Sequence, residues 1–275
     1  MNVISFLQSV ILGIVEGITE WLPISSTGHM ILLNNFMGIE KGDFFDSQIY
    51  LYVIQLGAIL AIATLYFKKL NPFAPSKTLE EKKDTWHMWF KVIVACIPSA
   101  VLGLLFNDYM DSISTPFVVS IMLIIYGIAF IVIEKFIKKE SILALSDLTY
   151  KTALCIGLFQ VLSIIPGTSR SGATILGAML LGTSRTLAAE FSFFLAIPVM
   201  FGVSFLKIVT NEYVMTSYEW ILLLVSMVVA YVVSLVSVKG LVNYVKRHDF
   251  KVFGWYRIIL ACVVIAYFYL PVILK

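Results

Sequence analysis

Residues 16–29, Glu16-Gly-Ile-Thr-Glu20-Trp-Leu-Pro-Ile-Ser-Ser-Thr-Gly-His29, place charged and hydroxyl side chains inside an otherwise apolar N-terminal run. A second stretch, residues 166–174, Pro166-Gly-Thr-Ser-Arg-Ser-Gly-Ala-Thr174, interrupts an apolar run in the second half of the chain. We call these stretches the first and the second motif. An ionisable group in hydrocarbon costs about 2.5–3.5 kcal/mol on insertion scales, so such residues normally face a cavity and belong to a functional site.

The composition of the chain is that of an integral membrane protein. Hydrophobic residues make up 60% of the 275 residues, charged residues make up 13%, and the mean hydropathy is +0.93. A soluble domain is about 45–50% apolar and about 25% charged, so the composition excludes that class. Cys96, Cys155 and Cys262 lie in apolar stretches without a CxxC spacing, which favours neither a disulfide framework nor a zinc site. We expect a single membrane domain over residues 1–275.

Apolar runs long enough to cross a bilayer occur six times, and all are expected to be helical. They cover residues 49–67, 90–106, 117–133, 187–206, 220–238 and 255–274. Two further apolar regions, about 1–38 and 153–183, are broken near their centres by the two motifs. The first is not a signal peptide, because it lacks a basic start and contains Glu16 and Glu20. The predicted fold is therefore all-α, with six transmembrane helices and two re-entrant helix pairs.

The distribution of lysine and arginine predicts the orientation. With the re-entrant pairs counted as non-crossing, segments 68–89, 135–152 and 239–254 share one face and hold most of the basic residues. The opposite face receives only Lys41, Lys207 and Lys275. By the positive-inside rule the basic loops are cytoplasmic and both termini lie outside.

The order of these elements predicts an internal repeat. A re-entrant pair followed by three spans occurs twice, in halves of about 1–136 and 150–275. Because three is odd, the second half must be inverted relative to the first. Broken helices from the two halves of an inverted repeat meet near the midplane, which would bring the two motifs together.

Both motifs have the composition of a helix start that binds an anion. Serine and threonine are good N-caps, and we expect new helices to begin near His29 and Ala173. Helix starts offer free N–H groups and a positive dipole end. Arg170 can bind phosphate oxygens with its planar guanidinium. The other candidate phosphate-binding residues are the hydroxyl residues Ser25, Thr27, Ser169, Ser171 and Thr174. The alternative is that these residues only interrupt a helix, which explains the glycines but not an arginine at this depth.

Glu16 and Glu20 are four residues apart, so on a helix they share one face. Two carboxylates beside a phosphate would repel it unless a divalent cation lies between them or one of them is protonated. Carboxylates and phosphate oxygens are the ligands that Mg²⁺ or Ca²⁺ uses, so we expect a metal site at this pair. The alternative is a structural pair of acids neutralised by Arg170.

Ser26 and His29 form the candidate nucleophile and its acid/base. If a helix starts here, a residue three positions on can approach the serine hydroxyl and accept its proton. Water activated by a metal ion is the competing nucleophile.

Together the two motifs resemble those of the undecaprenyl-diphosphatase family, also called bacitracin-resistance proteins. Residues 55–58 and 188–198 are similar to further segments of that family, and the similarity covers nearly the whole chain. The resemblance implies removal of the terminal phosphate from undecaprenyl pyrophosphate, which recycles the lipid carrier of cell-wall synthesis. By motif position it implies Glu16 and Glu20 as the acidic pair, Ser26 and His29 as nucleophile and acid/base, and Arg170 as the phosphate clamp.

The predicted function is thus that of a membrane phosphatase acting on a lipid pyrophosphate, located in the plasma membrane. The alternative is a transporter or flippase for polyprenyl phosphate, because an inverted repeat with a midplane anion site is typical of transporters. An intramembrane protease is disfavoured, since it needs neither Arg170 nor the acid pair. The expected partners are the lipid substrate and the bilayer, with no nucleic acid, and a homodimer is left open.

Overall fold

The structure, a computed structural model, describes residues 2–136 and 140–273, and over these residues it is built from helices. Lys138, Lys139, Leu274 and Lys275 lie outside the described residues. In chain order the α-helices are α1 (Val3–Thr19), α2 (Ser26–Phe36), α3 (Gln48–Leu65), α4 (Phe67–Leu70), α5 (Leu79–Ser112), α6 (Pro116–Phe136), α7 (Tyr150–Val161), α8 (Arg170–Leu180), α9 (Arg185–Val209), α10 (Ser217–Val245) and α11 (Lys251–Ile273). Short 3₁₀ turns occur at Phe44–Asp46 and Leu162–Ile164.

Six of these helices are long and apolar enough to cross a membrane, and they confirm the six predicted spans. They are α3, α5, α6, α9, α10 and α11. The main difference is in α5, which begins at Leu79, eleven residues before the predicted span, because its first turns are polar and carry no hydrophobic signal. The span predicted to end at residue 67 ends at Leu65, and the short helix α4 follows it.

The two broken regions become two pairs of shorter helices, α1 with α2 and α7 with α8. Helices α2 and α8 begin at Ser26 and Arg170, three residues before the expected starts near His29 and Ala173. The reason is that Ser25 and Ser169 are the capping residues, so that the rest of each motif is already helical. Both helices are 11 residues long.

The first helix of each half packs on a long helix of the other half. Helix α1 lies along α10, and α7 lies along α5. Glycines allow both approaches: a Cβ at Gly13 would lie 2.7 Å from the Ser226 carbonyl oxygen, and a Cβ at Gly157 would overlap the backbone of Ala95. Helices α6 and α11 meet equally closely at Gly127 and Gly254. This exchange of partners is compatible with an internal repeat, while the repeat, the re-entrant course and the inversion across the membrane stay predictions.

These contacts bring the α1–α2 loop and the α7–α8 loop together inside the helix bundle. The Ser171 hydroxyl of α8 is within hydrogen-bond distance of the carbonyl oxygens of Glu20 (3.2 Å) and Leu22 (3.3 Å). Helix α11 contributes Arg257, which binds carbonyl oxygens of both loops. The prediction that the two motifs meet is therefore confirmed by their contacts.

Candidate active site

Each loop ends at a serine in an unusual backbone conformation, and a helix begins at the next residue. Ser25 has φ 72° and ψ 98°, and Ser169 has φ 71° and ψ 125°. They are the non-glycine residues with positive φ among the described residues. Such a conformation costs on the order of 1–3 kcal/mol and is concentrated at active sites. Each serine offsets part of this cost by capping its helix, since Ser25 Oγ accepts from Gly28 N (3.4 Å) and Ser169 Oγ from Gly172 N (3.2 Å).

The carboxylate of Glu20 joins the two motifs. The Ser26 hydroxyl donates to Glu20 Oε2 over 3.0 Å, and Arg170 Nη2 donates to Glu20 Oε1 over 3.2 Å. The candidate nucleophile and the candidate phosphate clamp therefore lie on either side of one carboxylate. Glu20 and Arg170 are both largely buried, so their attraction is little screened by water.

Arg170 is held in place by helix α9. Its Nη1 donates to the Ser192 carbonyl oxygen over 2.8 Å, and the Ser192 hydroxyl is bonded to Thr174 over 2.6 Å. The guanidinium also lies over the ring of Trp21, with its Cζ 5.9 Å from the ring centroid. These contacts orient the guanidinium toward the first motif.

His29 does not contact Ser26 through a hydrogen bond in this structure. Its Nδ1 lies 2.8 Å from the Ser25 carbonyl oxygen, and its Nε2 lies 2.7 Å from the hydroxyl of Tyr256. The imidazole and the Tyr256 ring are nearly parallel, 5.6 Å apart. The acceptor that faces the Ser26 hydroxyl is Glu20, so the role of His29 as the partner of Ser26 stays a prediction.

The remaining hydroxyl residues of the motifs differ in what they do. Ser25 and Ser169 cap helices, Ser171 is bonded to the opposite loop, and Thr174 is bonded to Ser192. Thr27 is exposed and faces a cavity. The first four therefore build the site, and whether any of them also binds substrate stays a prediction.

A cavity of about 570 Å³ reaches the site. Of the predicted site residues, Glu16, Ser26 and Thr27 line it. Its outer part is lined by Lys41 and Asp46 of the α2–α3 loop and by Ser114, which lies between α5 and α6. The cavity thus connects the Ser26 hydroxyl with the face of the molecule that carries these two loops.

The acid pair fits a divalent cation, provided that substrate supplies further ligands. Glu16 is 2% exposed, and its Oε1 has no hydrogen-bond partner in the structure. Among the described residues no group of three or more His, Cys, Asp and Glu side chains is placed to hold a metal ion. Two carboxylates completed by phosphate oxygens and water are nevertheless a typical Mg²⁺ site, and the unpaired Glu16 oxygen is available for it.

Three residues of the site were missed by sequence reasoning: Ser192, Tyr256 and Arg257. Arg257 carried a signal, because it is an arginine inside the predicted span 255–274 and an ionisable residue in a span indicates function. Ser192 and Tyr256 carried none, since serine and tyrosine are ordinary in membrane helices.

The chain is similar to known proteins along most of its length. The family described as bacitracin resistance protein BacA matches residues 9–263. An undecaprenyl-diphosphatase of Enterococcus faecalis (strain V583) is 58% identical over 266 residues, which cover 94% of this chain and 96% of that protein. Undecaprenyl-diphosphatase 1 of Clostridioides difficile (strain 630) is 55% identical over 272 residues, 98% of both chains. With a match along most of its length, this chain belongs to the bacitracin resistance protein BacA family.

Proposed function

We propose that the chain hydrolyses undecaprenyl diphosphate to undecaprenyl phosphate and inorganic phosphate, which recycles the lipid carrier for cell-wall synthesis and confers bacitracin resistance. The relatives are named for this phosphatase activity. The observation that carries the proposal is the Ser26–Glu20–Arg170 arrangement beside the cavity. It combines a nucleophile, a proton acceptor and a phosphate-binding guanidinium, whereas a transporter needs only reversible anion binding.

The first chemical step is attack of Ser26 Oγ on the terminal phosphorus. The hydroxyl proton passes to Glu20, which already accepts a hydrogen bond from it. The bond from phosphorus to the bridging oxygen breaks, and undecaprenyl phosphate leaves with that oxygen. Arg170 and the N-termini of α2 and α8 stabilise the negative charge on the phosphoryl oxygens, which is the main catalytic contribution in phosphoryl transfer.

The second step hydrolyses the phosphoserine. Water attacks the phosphorus and gives a proton to His29, the bond from phosphorus to the Ser26 oxygen breaks, that oxygen takes back the proton held by Glu20, and inorganic phosphate is released with the proton from His29. We assign His29 to this step as the acid/base, because Ser25 and Tyr256 hold its ring one helical turn from Ser26. Attack by water on the diphosphate itself, without a phosphoserine, is the competing course.

Glu16 and Glu20 would hold a divalent cation, Mg²⁺ or Ca²⁺, together with the substrate. A cation bound there supplies positive charge that offsets the repulsion between two carboxylates and a diphosphate. Arg170 offsets the charge of Glu20, whereas Glu16 Oε1 has no hydrogen-bond partner among the described residues. A diphosphate thus adds net negative charge to the site unless a cation accompanies it.

The orientation in the plasma membrane is part of the proposal. We place the basic loops in the cytoplasm and both termini outside, with α1–α2 and α7–α8 as re-entrant pairs of an inverted repeat. The α2–α3 and α5–α6 connections then lie outside, so the cavity opens to the outer face. Every residue named for the mechanism lies in one chain, and a homodimer is left open.

The test is phosphate release from undecaprenyl diphosphate by the purified protein, with and without EDTA. We expect release that is lost in EDTA and falls by about 10³-fold or more in Ser26→Ala. The matched control is Ser163→Ala, because Ser163 also lines the cavity but its hydroxyl is bonded to the Gln160 carbonyl oxygen.

Each outcome bears on a different part of the proposal. Full turnover by Ser26→Ala would exclude the phosphoserine and favour direct attack by water. Turnover unaffected by EDTA would contradict the proposed divalent cation. No release from well-folded wild-type protein would contradict the phosphatase and favour the transporter.

A further inference from the structure

Arg257 of α11 is a fully buried arginine bonded to both loops of the site. Its Nη1 donates to the Pro23 carbonyl oxygen over 2.9 Å. Its Nη2 donates to the carbonyl oxygens of Gly167 over 2.9 Å and Thr168 over 2.6 Å. Its side chain is 0% exposed, and nothing in the proposed chemistry has yet used it.

Arg257 has no carboxylate partner. Among the described residues no Asp or Glu oxygen lies within ion-pair distance of its guanidinium, and the centroid of the Tyr126 ring lies 5.3 Å from Cζ. A buried charge without a counter-ion is strongly unfavourable for stability, and a well-packed apolar side chain would serve packing better. A role in holding α11 against its neighbours therefore does not explain an arginine here.

The three carbonyl groups lie at corresponding points of the two loops. Pro23 lies two residues before the strained Ser25, and Gly167 and Thr168 directly precede the strained Ser169. One guanidinium thus links the two turns that directly precede Ser26 and Arg170.

We propose that Arg257 is a positioning residue that fixes the α1–α2 loop relative to the α7–α8 loop and so sets the distance between Ser26 and Arg170. It touches no substrate and acts through the two loop backbones. The planar guanidinium is required because its two terminal nitrogens point to different loops, whereas the single ammonium group of lysine donates from one point. The inference deepens the proposed function, on which its kinetic test rests.

The experiment compares Arg257→Lys and Arg257→Gln with the wild type, at a temperature well below the melting midpoint of each. We expect kcat to fall by about 10²-fold in both variants, with KM changed by less than about 3-fold, because a small misplacement of reacting groups costs this much. The inhibition constant of orthovanadate, which mimics the phosphoryl transition state, should rise in parallel with the loss of kcat/KM. A smaller folded fraction would lower the apparent kcat but leave that constant unchanged.

The matched control is Arg185→Lys. Arg185 is bonded to Glu134 and Glu140 away from the loops, so this variant should lose stability without a change in the orthovanadate constant. Hydrogen exchange supplies a readout that needs no turnover. In both Arg257 variants we expect faster exchange at residues 21–25 and 165–169 together, with the other helices unchanged.

Three results would overturn the inference. Wild-type kcat in Arg257→Lys would show that only the charge matters. An unchanged orthovanadate constant would reduce Arg257 to a structural role. Loops that exchange at wild-type rates would show that Arg257 does not hold them. If the wild type itself released no phosphate, the proposed function would fail. Hydrogen exchange would still show whether Arg257 holds the two loops together.

Discussion

The two loops of the site end in the same way. Ser25 and Ser169 share the positive φ, and each caps an 11-residue helix through the glycine three positions on, Gly28 or Gly172. A sharp turn into a helix N-terminus is a general solution for presenting a side chain and free N–H groups to a ligand. This chain uses the solution once in each half.

The side chains at equivalent positions are different. The first helical residue is Ser26 in one loop and Arg170 in the other, so the proposed nucleophile and the proposed clamp occupy the same place relative to the serine cap. Four residues after the cap, His29 is matched by Ala173. Catalysis needs unlike groups around one phosphate, and a strictly symmetric pair of loops would supply only like ones.

The preceding helices differ in the same manner. Nine residues before its serine cap the first half has Glu16 and the second has Gln160, and five residues before it they have Glu20 and Ile164. The acids are thus confined to one half and the cationic clamp to the other. We infer that the similar turns provide the scaffold, whereas the side chains that differ between them provide the proposed chemistry.

The largest loss of activity is expected from substitution of Glu20, where the two halves differ most. Glu20→Gln removes the proton acceptor of Ser26 and the counter-charge of Arg170, so kcat/KM for phosphate release should fall by about 10³-fold. The control is Glu190→Gln on α9, which removes a carboxylate paired with Lys69 instead. A Glu20→Gln enzyme within about 10-fold of wild type would mean that another group accepts the proton.

An intermediate loss of activity is expected from substitution of Gly172 but not of the equivalent Gly28. A Cβ at Gly172 would lie 2.7 Å from Arg257 Nη1, whereas a Cβ at Gly28 would come no closer than 3.4 Å to Leu123. Gly172→Ala should therefore displace the guanidinium and lower kcat by about 10-fold, while Gly28→Ala stays within about 2-fold of wild type. The measurement is kcat of the two variants under the same conditions, and equal losses of kcat would contradict the distinction between the loops.

The smallest effect on activity is expected from making the second half more like the first. Gln160 is fully buried and donates to the Ser99 hydroxyl over 2.6 Å. Gln160→Glu should leave kcat within about 2-fold of wild type but lower the free energy of unfolding by about 1–3 kcal/mol, since a buried donor is replaced by a charge. Thermal melting in detergent measures this loss, with Gln160→Met as the uncharged comparison. A change of kcat beyond about 10-fold would show that the second half takes part in the chemistry through this position.

The spans could be predicted from the sequence because their signal is local. A run of apolar residues must be helical in a bilayer, and the six runs correspond to six long helices. The starts of α2 and α8 were placed three residues late, because the sequence does not reveal that Ser25 and Ser169 take up a positive φ. That conformation depends on the packing of the opposite loop, which is not a local property.

The candidate residues of the two motifs could be named from the sequence, but their contacts could not. The meeting of the two motifs is confirmed, the Ser26 hydroxyl donates to Glu20, and the role of His29 as the acid/base of Ser26 stays a prediction. Spacing along a helix shows which residues can meet, whereas the rotation of each side chain is decided by its neighbours, here Arg170 and Tyr256. Arg257 contacts the site from helix α11, which is far away in the chain, and it belongs to neither motif.

The cavity beside Ser26 has a consequence for inhibition. Its wall carries amide groups, among them those of Asn34, Asn35 and Gln55, and it extends to the loops that we place outside the cell. A small, charged phosphonate would therefore reach the nucleophile from the surrounding medium. Poor passage through membranes, which disqualifies most anionic drugs against bacterial enzymes, would be no obstacle at this target.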